Sequence, residues 1–299
     1  MDKINAKVFL TVVETGSFRK AAEVLDYTQA GVSYIISAME EAVGLNLFVR
    51  EHGGVRLSRE GRTLMPYMQQ LEAWEHRFMQ TVNELNGLEK GVVRVQIFDS
   101  ISIHWVPNIV RNFQADFPNI QIELISEEDP IRTEQMVLNG EVDCGFFWSD
   151  VTSKIDVFPL LEESLMAVVG PEHPMAKLEK FPIASLGEYP FISMRIDANT
   201  AIGAIFRKRG ITPKTVFSMD NDFAAISMVS KGLGYGIFPE LLLRDIPYNV
   251  KCMQLDEPQR RTISIGTRSM KNCSRACCTF IEYTRNWVKE EYKNEAFRR

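Results

Sequence analysis

The chain lacks any apolar run approaching the length of a membrane span. Its longest early apolar stretch, VFLTVV at 8–13, is shorter than a secretory core and has no small-residue cleavage site after it, which argues against export. Cysteine is sparse and odd in number: Cys144, Cys252, Cys273, Cys277 and Cys278 do not pair into a disulfide framework and suit a reducing compartment, so a cytoplasmic protein is expected. No repeat of solenoid period and no low-complexity tract is present, which excludes solenoids and long disordered segments. Positive charge is also scarce. The formal net charge is -5, and the run TQAGVSYIISAME at 28–40 contains no Lys or Arg at all. Bulk attraction to nucleic acid is thereby excluded, and any affinity for phosphates must come from where charges sit.

What is present is an ordinary globular balance, 45% hydrophobic and 24% charged residues in 299, enough for two or three domains. The segment from Arg50 to Arg62 is locally basic, with Arg50, Arg56, Arg59 and Arg62 against Glu51 and Glu60. Before it, short helical patterns are broken by Gly16, Gly44 and Gly53-Gly54. Ser17 and Thr28 are the expected N-caps of the second and third helices. On the third, Val32, Ile35, Ile36 and Met39 fall on one side of a helical wheel, and Ala30, Ser33, Tyr34 and Ser37 on the other. From Ser58 a long helix carries Leu64, Met68, Leu71, Phe78, Val82 and Leu85 at alternating four and three spacing. Glu75 interrupts this seam and Pro66 should kink it. Pairing with a second copy is expected, packing within the same chain being the alternative.

Beyond Gly91 the pattern changes to strands alternating with helices. VVRVQIF, IQIELIS and VDCGFFW form a first set, LMAVVG, PFISM, TVFSM and GYGIF a second, and the helix around 273–292 returns to the first set after RTISIGT. Alternation of this kind predicts parallel sheets in two lobes, joined near Phe158–Glu162 and leaving a cleft between them.

The run GSFRKAAEVLDYTQAGVSYIISAMEEAVGLNLFVR followed by LSREG resembles the winged helix-turn-helix of LysR-type transcriptional regulators. The matching residues are Gly16, Ser17, Phe18, Ala21, Ala22, Leu25, Gln29, Val32, Ser33, Ile36, Glu40, Gly44, Leu47, Phe48, Arg50, Leu57 and Gly61. FPNIQIEL, LNGEVDCGFF and VSKGLGYGIFP resemble parts of that family's effector-binding domain. The resemblance implies an α/β protein: an N-terminal winged helix-turn-helix (about 1–57), a linker or dimerisation helix (about 58–90) and a two-lobed, periplasmic-binding-protein-like effector domain (91–299). Its lobe I is expected at about 91–160 and 268–299, and lobe II at about 161–267. It further implies double-stranded operator DNA and a small-molecule effector as partners, a homodimer or homotetramer, no cofactor and no enzymatic activity. The helix opening at Thr28 would enter the major groove, where Gln29 can pair with adenine, Ala30 can touch a thymine methyl and Ser33 can bond a base edge. Tyr34 and Ser37 extend that face, while Arg50 and Arg56 of the wing would hold phosphates. Family members commonly carry Pro at the position of Ala30 and Arg or another polar residue at that of Tyr34, so base preference does not carry over directly.

In a two-lobed α/β domain a ligand lies outside the carboxyl ends of the strands. That rule selects Asp99, Ser100 and Ser102, then Glu128, Trp148, Arg195, Asn199, Thr200, Asp220 and Asn221. Arg195 favours a carboxylate, whereas Asp99 and Glu128 repel one, so the effector class stays open. Cys273, Cys277 and Cys278 are expected to be buried in an apolar helix rather than to form a thiol sensor or a metal site. His104-Trp105 beside Ser102 has no G-x-S-x-G elbow and is expected to pack rather than catalyse. KGLGYG leaves a helix for a strand, the wrong order for a dinucleotide loop, and predicts a tight turn. A solute-binding protein of the periplasmic type is the alternative reading, since it has the same two lobes; the first 90 residues and the missing signal peptide argue against it.

Overall fold

The computed structural model describes residues 4–51, 54–85, 91–194 and 200–295. Three helices open the chain: α1 (Ala6–Thr15), α2 (Phe18–Leu25) and α3 (Gln29–Val43). Their side-chain caps are Asn5, Ser17 and Thr28, each accepting a first-turn N–H. The antiparallel pair β1 (Phe48–Glu51) and β2 (Gly54–Leu57) comes next, and then α4 (Arg59–Leu85), which runs on through Pro66. Phe9, Val12, Ala21, Val32, Ile36, Met39, Leu47 and Met68 close a single core under these elements.

Met68 and Leu64 change the expected seam of α4. Met68 is buried and Leu64 partly buried in the head's own core, so the N-terminal part of that stripe packs within the chain. The exposed apolar face is instead Tyr67, Leu71, Trp74 and Phe78, again at four, three and four spacing, and shares only Leu71 and Phe78 with the expected set. The side chain of Leu85 lies outside the described residues.

The remaining elements, in order, are β3 (Gly91–Ile97), α5 (Asp99–His104), α6 (Val106–Asp116), β4 (Ile120–Ser126), α7 (Pro130–Asn139), β5 (Cys144–Phe147), β6 (Asp156–Val169), β7 (Lys180–Phe181), β8 (Pro190–Met194), α8 (Ala201–Arg209), β9 (Lys214–Met219), α9 (Asp222–Ser230), β10 (Gly236–Pro239), β11 (Lys251–Thr267) and α10 (Arg275–Glu295). β3 pairs parallel with β4 and β5, as alternation predicts. The expectation of two separate parallel sheets fails at β6 and β11. These two long strands pair antiparallel from Asp156↔Thr267 to Val169↔Lys251 and carry one mixed sheet, ordered β10-β6-β11-β5-β3-β4, through both halves. Hydrophobic patterning reports burial and not strand direction, so the antiparallel crossing left no mark in it. The only separate parallel sheet among the described residues is the pair β8-β9.

Along these crossing strands the core changes hands. Phe158, Leu160, Leu161, Ile263 and Ile265 join the first-lobe core with Trp105, Phe113 and Phe280. Leu165, Ala167, Val169, Met253 and Leu255 join the second-lobe core with Phe181, Phe191 and Tyr235. KGLGYG is the tight turn expected: a Cβ on Gly234 would lie 2.5 Å from the Pro190 carbonyl oxygen. His104-Trp105 packs as expected too, with Trp105 buried and its indole N–H donating to the Tyr292 hydroxyl at 3.0 Å.

Candidate functional site

Two regions hold most of the expected site residues, the α3 face of the head and the junction of the two lobes. In α3, Val32, Ile36 and Met39 are buried, which leaves the opposite side free to face out. Thr28, Gln29, Ala30, Tyr34 and Ser37 are exposed and Ser33 is half-buried. Tyr34, at 75% exposure, stands furthest from the chain's own packing. The Thr28 hydroxyl accepts from Gly31 N–H at 3.0 Å, leaving other first-turn N–H groups without an intrahelical acceptor.

The wing is held to this helix by one carboxylate. Glu40, in the last turns of α3, accepts from Leu47 N–H at 2.6 Å and Phe48 N–H at 3.1 Å. Beneath it, Ser58 donates to the Asn46 carbonyl at 2.7 Å and accepts from Gly61 N–H at 2.8 Å. A Cβ on Gly61 would meet the Leu47 carbonyl oxygen at 2.2 Å, so only glycine lets α4 start this close to the wing. Arg50 is exposed, its guanidinium 5.8 Å from the Phe18 ring centroid. Arg56 is in an ion pair with Glu51, a partner that sequence reasoning did not assign to it.

Between the lobes the pivotal residues are ones that strand-end reasoning missed. Arg261 and Glu163 face each other across β11 and β6 where the two cores meet, with Arg261 Nε donating to Glu163 Oε1 at 2.7 Å. Their side chains are only 10% and 3% exposed, and Glu163 also accepts from Leu241 N–H at 2.7 Å. The guanidinium reaches on to Ser100 Oγ at 3.2 Å and lies over the rings of Phe98 and Trp148, at 5.5 and 5.6 Å. Two expected residues, Ser100 and Trp148, are thus gathered around a cation that belongs to the chain itself.

Three carboxylates adjoin this group. Glu128 accepts from Asp99 N–H at 2.8 Å, and its carboxyl is pushed up to about 7, by burial first and then by the charge of Asp99. Asp222, at the start of α9 in the second lobe, is pushed up to about 6 by burial and by Asp99, with Arg261 opposing. Asp222 was not anticipated, although it directly follows the expected Asn221.

The other expected residues do structural work or lie elsewhere. The Ser102 hydroxyl donates to the Asp99 carbonyl at 2.8 Å. Thr200 is buried and caps α8 through Gly203 N–H at 3.1 Å, and Asn221 caps α9 through Ala224 N–H at 2.8 Å. Asp220 is exposed beside that cap. Arg195 and Asn199 lie outside the described residues.

The cysteines depart from the expectation of a buried set. Cys277 and Cys144 are buried free thiols, but Cys273 and Cys278 are joined in a disulfide and half-buried, and Cys252 is exposed. Among the described residues no group of three or more His, Cys, Asp or Glu is arranged to hold a metal ion, and no helix is long and apolar enough to cross a membrane.

Comparison with known proteins matches both regions. The family pattern described as "Bacterial regulatory helix-turn-helix protein, lysR family" covers residues 5–62, and "LysR substrate binding domain" covers residues 86–289. The chain is 27% identical over 280 residues, 92% of its own length and 95% of the other, to the uncharacterized HTH-type transcriptional regulator YvbU of Bacillus subtilis (strain 168). Its fold is similar to that of full-length CbnR complexed with target DNA, at a TM-score of 0.69 and 18% identity, covering 94% of this chain and 98% of that one. The effector binding domain of QuiR in complex with shikimate is similar at a TM-score of 0.59 and 23% identity, covering 67% of this chain and 98% of that one. With one lysR-family pattern over the head and another over most of the rest, the chain belongs to the LysR family, as a DNA-binding transcriptional regulator with an effector-binding domain.

Proposed function

We propose that this regulator reads operator DNA with the exposed, uncharged face of α3 and changes its grip when a small molecule binds between the lobes. Gln29, Ala30, Ser33, Tyr34 and Ser37 contact base edges or the adjacent sugar-phosphate, while Thr28, the helix end and Arg50 hold phosphates. Arg56 contributes less, since Glu51 already neutralises it. The observation that carries this reading is the exposure of these small polar side chains on a helix whose other face is locked into a core. CbnR, similar in fold, was solved on its target DNA. Residues 1–57 form the DNA-reading unit, 58–90 the linker, and 91–299 the effector-binding unit. The exposed stripe Tyr67, Leu71, Trp74 and Phe78 pairs with a second copy, dimers pair into a tetramer, and the assembly works in the cytoplasm without enzymatic activity.

The effector sits against Asp99, Ser100, Glu128, Trp148, Asp222 and Arg261; the effector binding domain of QuiR, similar in fold, was solved in complex with shikimate. Helix α7 offers a mechanical route outward. Asp129, next to Glu128, caps its start by accepting from Ile131 N–H at 2.9 Å. At its far end Asn139 donates to Gln69 of α4 at 3.3 Å, and Gly140, at φ 75°, sits so close to Ala73 that a Cβ would lie 2.4 Å from it. A ligand that favours one placement of α7 therefore favours one placement of the linker helix.

A gel-shift on the DNA upstream of the chain's own gene, titrated with salt, tests the reading. Gln29→Ala and Ser33→Ala are each expected to weaken specific binding by about 1–3 kcal/mol while leaving stability within roughly 0.5 kcal/mol. Unchanged binding in both variants would sink the assignment of α3.

A further inference from the structure

We propose that Cys273 and Cys278 form a reversible disulfide, a redox clasp over the start of α10 at the place where the linker helix meets the first lobe. The clasp needs none of the DNA or effector contacts, but it rests on the cytoplasmic placement proposed above. Ser274 is the cap of α10: its hydroxyl accepts from Cys277 N–H at 3.1 Å, and its carbonyl accepts from Cys278 N–H at 2.9 Å. Cys273 thus stands immediately before the cap and Cys278 four residues into the helix. Those are the two positions that a hydrophobic staple joins by contact to fix the entry angle of the chain. Here the joint is covalent, with Cα atoms 6.3 Å apart.

A bridge over a sequence separation of only five closes a short loop, so it removes less entropy from the unfolded chain than a long-range bridge would and contributes correspondingly less to global stability. Its constraint is local. In a cytoplasm, where thiols are kept reduced, a disulfide of this kind is transient and chemical rather than structural. Both sulfurs belong to half-buried residues within reach of small oxidants and reductants, unlike the buried Cys144 and Cys277. The Cys144 thiol is further kept protonated by its hydrogen bond with Cys277 and by burial, so it does not compete.

What the clasp holds lies beside the linker. The first turn of α10 rests on Gly91, the first residue of β3, where a Cβ would approach that of Ala276 to 3.0 Å. Arg77 of α4 is drawn to the charge of Asp143 and repelled by those of Arg268 and Arg94. The turn Met270–Asn272, which Cys273 follows, is tied to β6 by Met270 N–H donating to Asp156 at 2.7 Å. Opening the bridge frees this turn and the helix start from each other, next to Gly91 and Arg77.

The oxidant is a hydroperoxide. One thiolate attacks the peroxide oxygen, the O–O bond breaks, and the leaving oxygen departs as an alcohol or water after taking a proton, leaving a sulfenic acid. The second thiol then attacks that sulfur, the S–S bond forms and water leaves. Two electrons have passed from the two sulfurs to the peroxide. A dithiol reverses the step by exchange, becoming the disulfide itself.

The test uses the full chain and no DNA. Reduced with dithiothreitol and then treated with hydrogen peroxide, the chain should lose alkylation at Cys273 and Cys278 together and yield the peptide joining them. Dithiothreitol without denaturant should restore both thiols, while Cys252 stays alkylatable throughout. Hydrogen exchange in 268–279 and in the α4 segment 69–79 should be about tenfold slower in the oxidised form, with α1–α3 unchanged. The double variant Cys273→Ser/Cys278→Ser should show the fast pattern with and without peroxide; the wild-type comparison stands even if this variant folds poorly. Cys273 and Cys278 remaining alkylatable after peroxide, a bridge that resists dithiothreitol, or equal exchange in the two wild-type states would each overturn the clasp.

Discussion

In the head, the side chains offered to another molecule are exposed and uncharged, and their geometry is set by neighbours close in sequence: Thr28 caps its own helix and Glu40 reaches seven residues to Leu47. Between the lobes the reverse holds. There the decisive groups are charged and mostly withdrawn from water, and Arg261 meets Glu163 across a separation of 98 residues. On the function proposed above, in which α3 reads bases and the Arg261–Glu163 pair is the hinge between the lobes, the contrast reflects the task of each region. A base edge discriminates by hydrogen-bond pattern, which neutral side chains can match, and phosphate attraction is left to helix ends and a few arginines. A hinge that must hold two lobes in a defined relation uses groups whose mispairing is costly, because a buried charge without its partner is expensive.

The largest expected effect breaks the second half of that contrast. Arg261→Ala leaves Glu163 buried with only the Leu241 N–H for company, and should cost about 3–5 kcal/mol in chemical denaturation. A loss below about 1 kcal/mol would mean that the pair is solvated and the hinge is not built on it. In the head, Glu40→Ala removes the acceptor for two backbone N–H groups of buried residues and should cost about 1–3 kcal/mol, through loosening of the wing rather than loss of the core. A loss of exchange protection confined to β1 and β2 would distinguish that loosening from general unfolding.

Locality also decided what the sequence made legible. The helices of the head, their caps Ser17 and Thr28, and the buried face Val32, Ile36 and Met39 came from cap chemistry and a 3.6-residue period, both of which act within one or two turns. The neighbourhood of Ser100, Trp148 and Glu128 around Arg261 and Asp99 was partly legible, because strand ends of an α/β fold converge on one edge. Arg261 and Glu163 were not, since an antiparallel pairing between distant strands has no local period. A clue was present: Glu162 and Glu163, with Ser164, interrupt the apolar run from Val157 to Val169. Two acids inside a strand that must be buried call for partners. The run CSRACC held a similar clue, with a cap serine between cysteines at the staple positions, and counting cysteines alone concealed it. The seam of α4 was misassigned because periodicity shows which residues share a face but not which neighbour covers it.

The smallest effect, about 1 kcal/mol, concerns the two carboxylates whose proton affinity is raised beside Asp99. Asp222 is pushed from 3.8 to about 6 and Glu128 from 4.5 to about 7, so in these intervals the folded chain binds more protons than the unfolded one. Stability therefore falls as pH rises through about 4 to 7, the opposite of the usual behaviour of a salt-bridged carboxylate. Asp222→Asn removes one of the two groups. Its melting temperature should exceed the wild type's by roughly 2–4 °C at about pH 8, and the difference should vanish near pH 4, where Asp222 is largely protonated in the folded wild type. Thermal scans at both values decide the matter. If the variant loses stability with pH as steeply as the wild type, Asp222 is well solvated and the acidic side of the cleft is open water. If the slope flattens, Asp222 carries a raised proton affinity, set by burial first and by Asp99 second, and a ligand that supplies a positive charge or a donor there favours the arrangement in which Asp222 stays near Asp99.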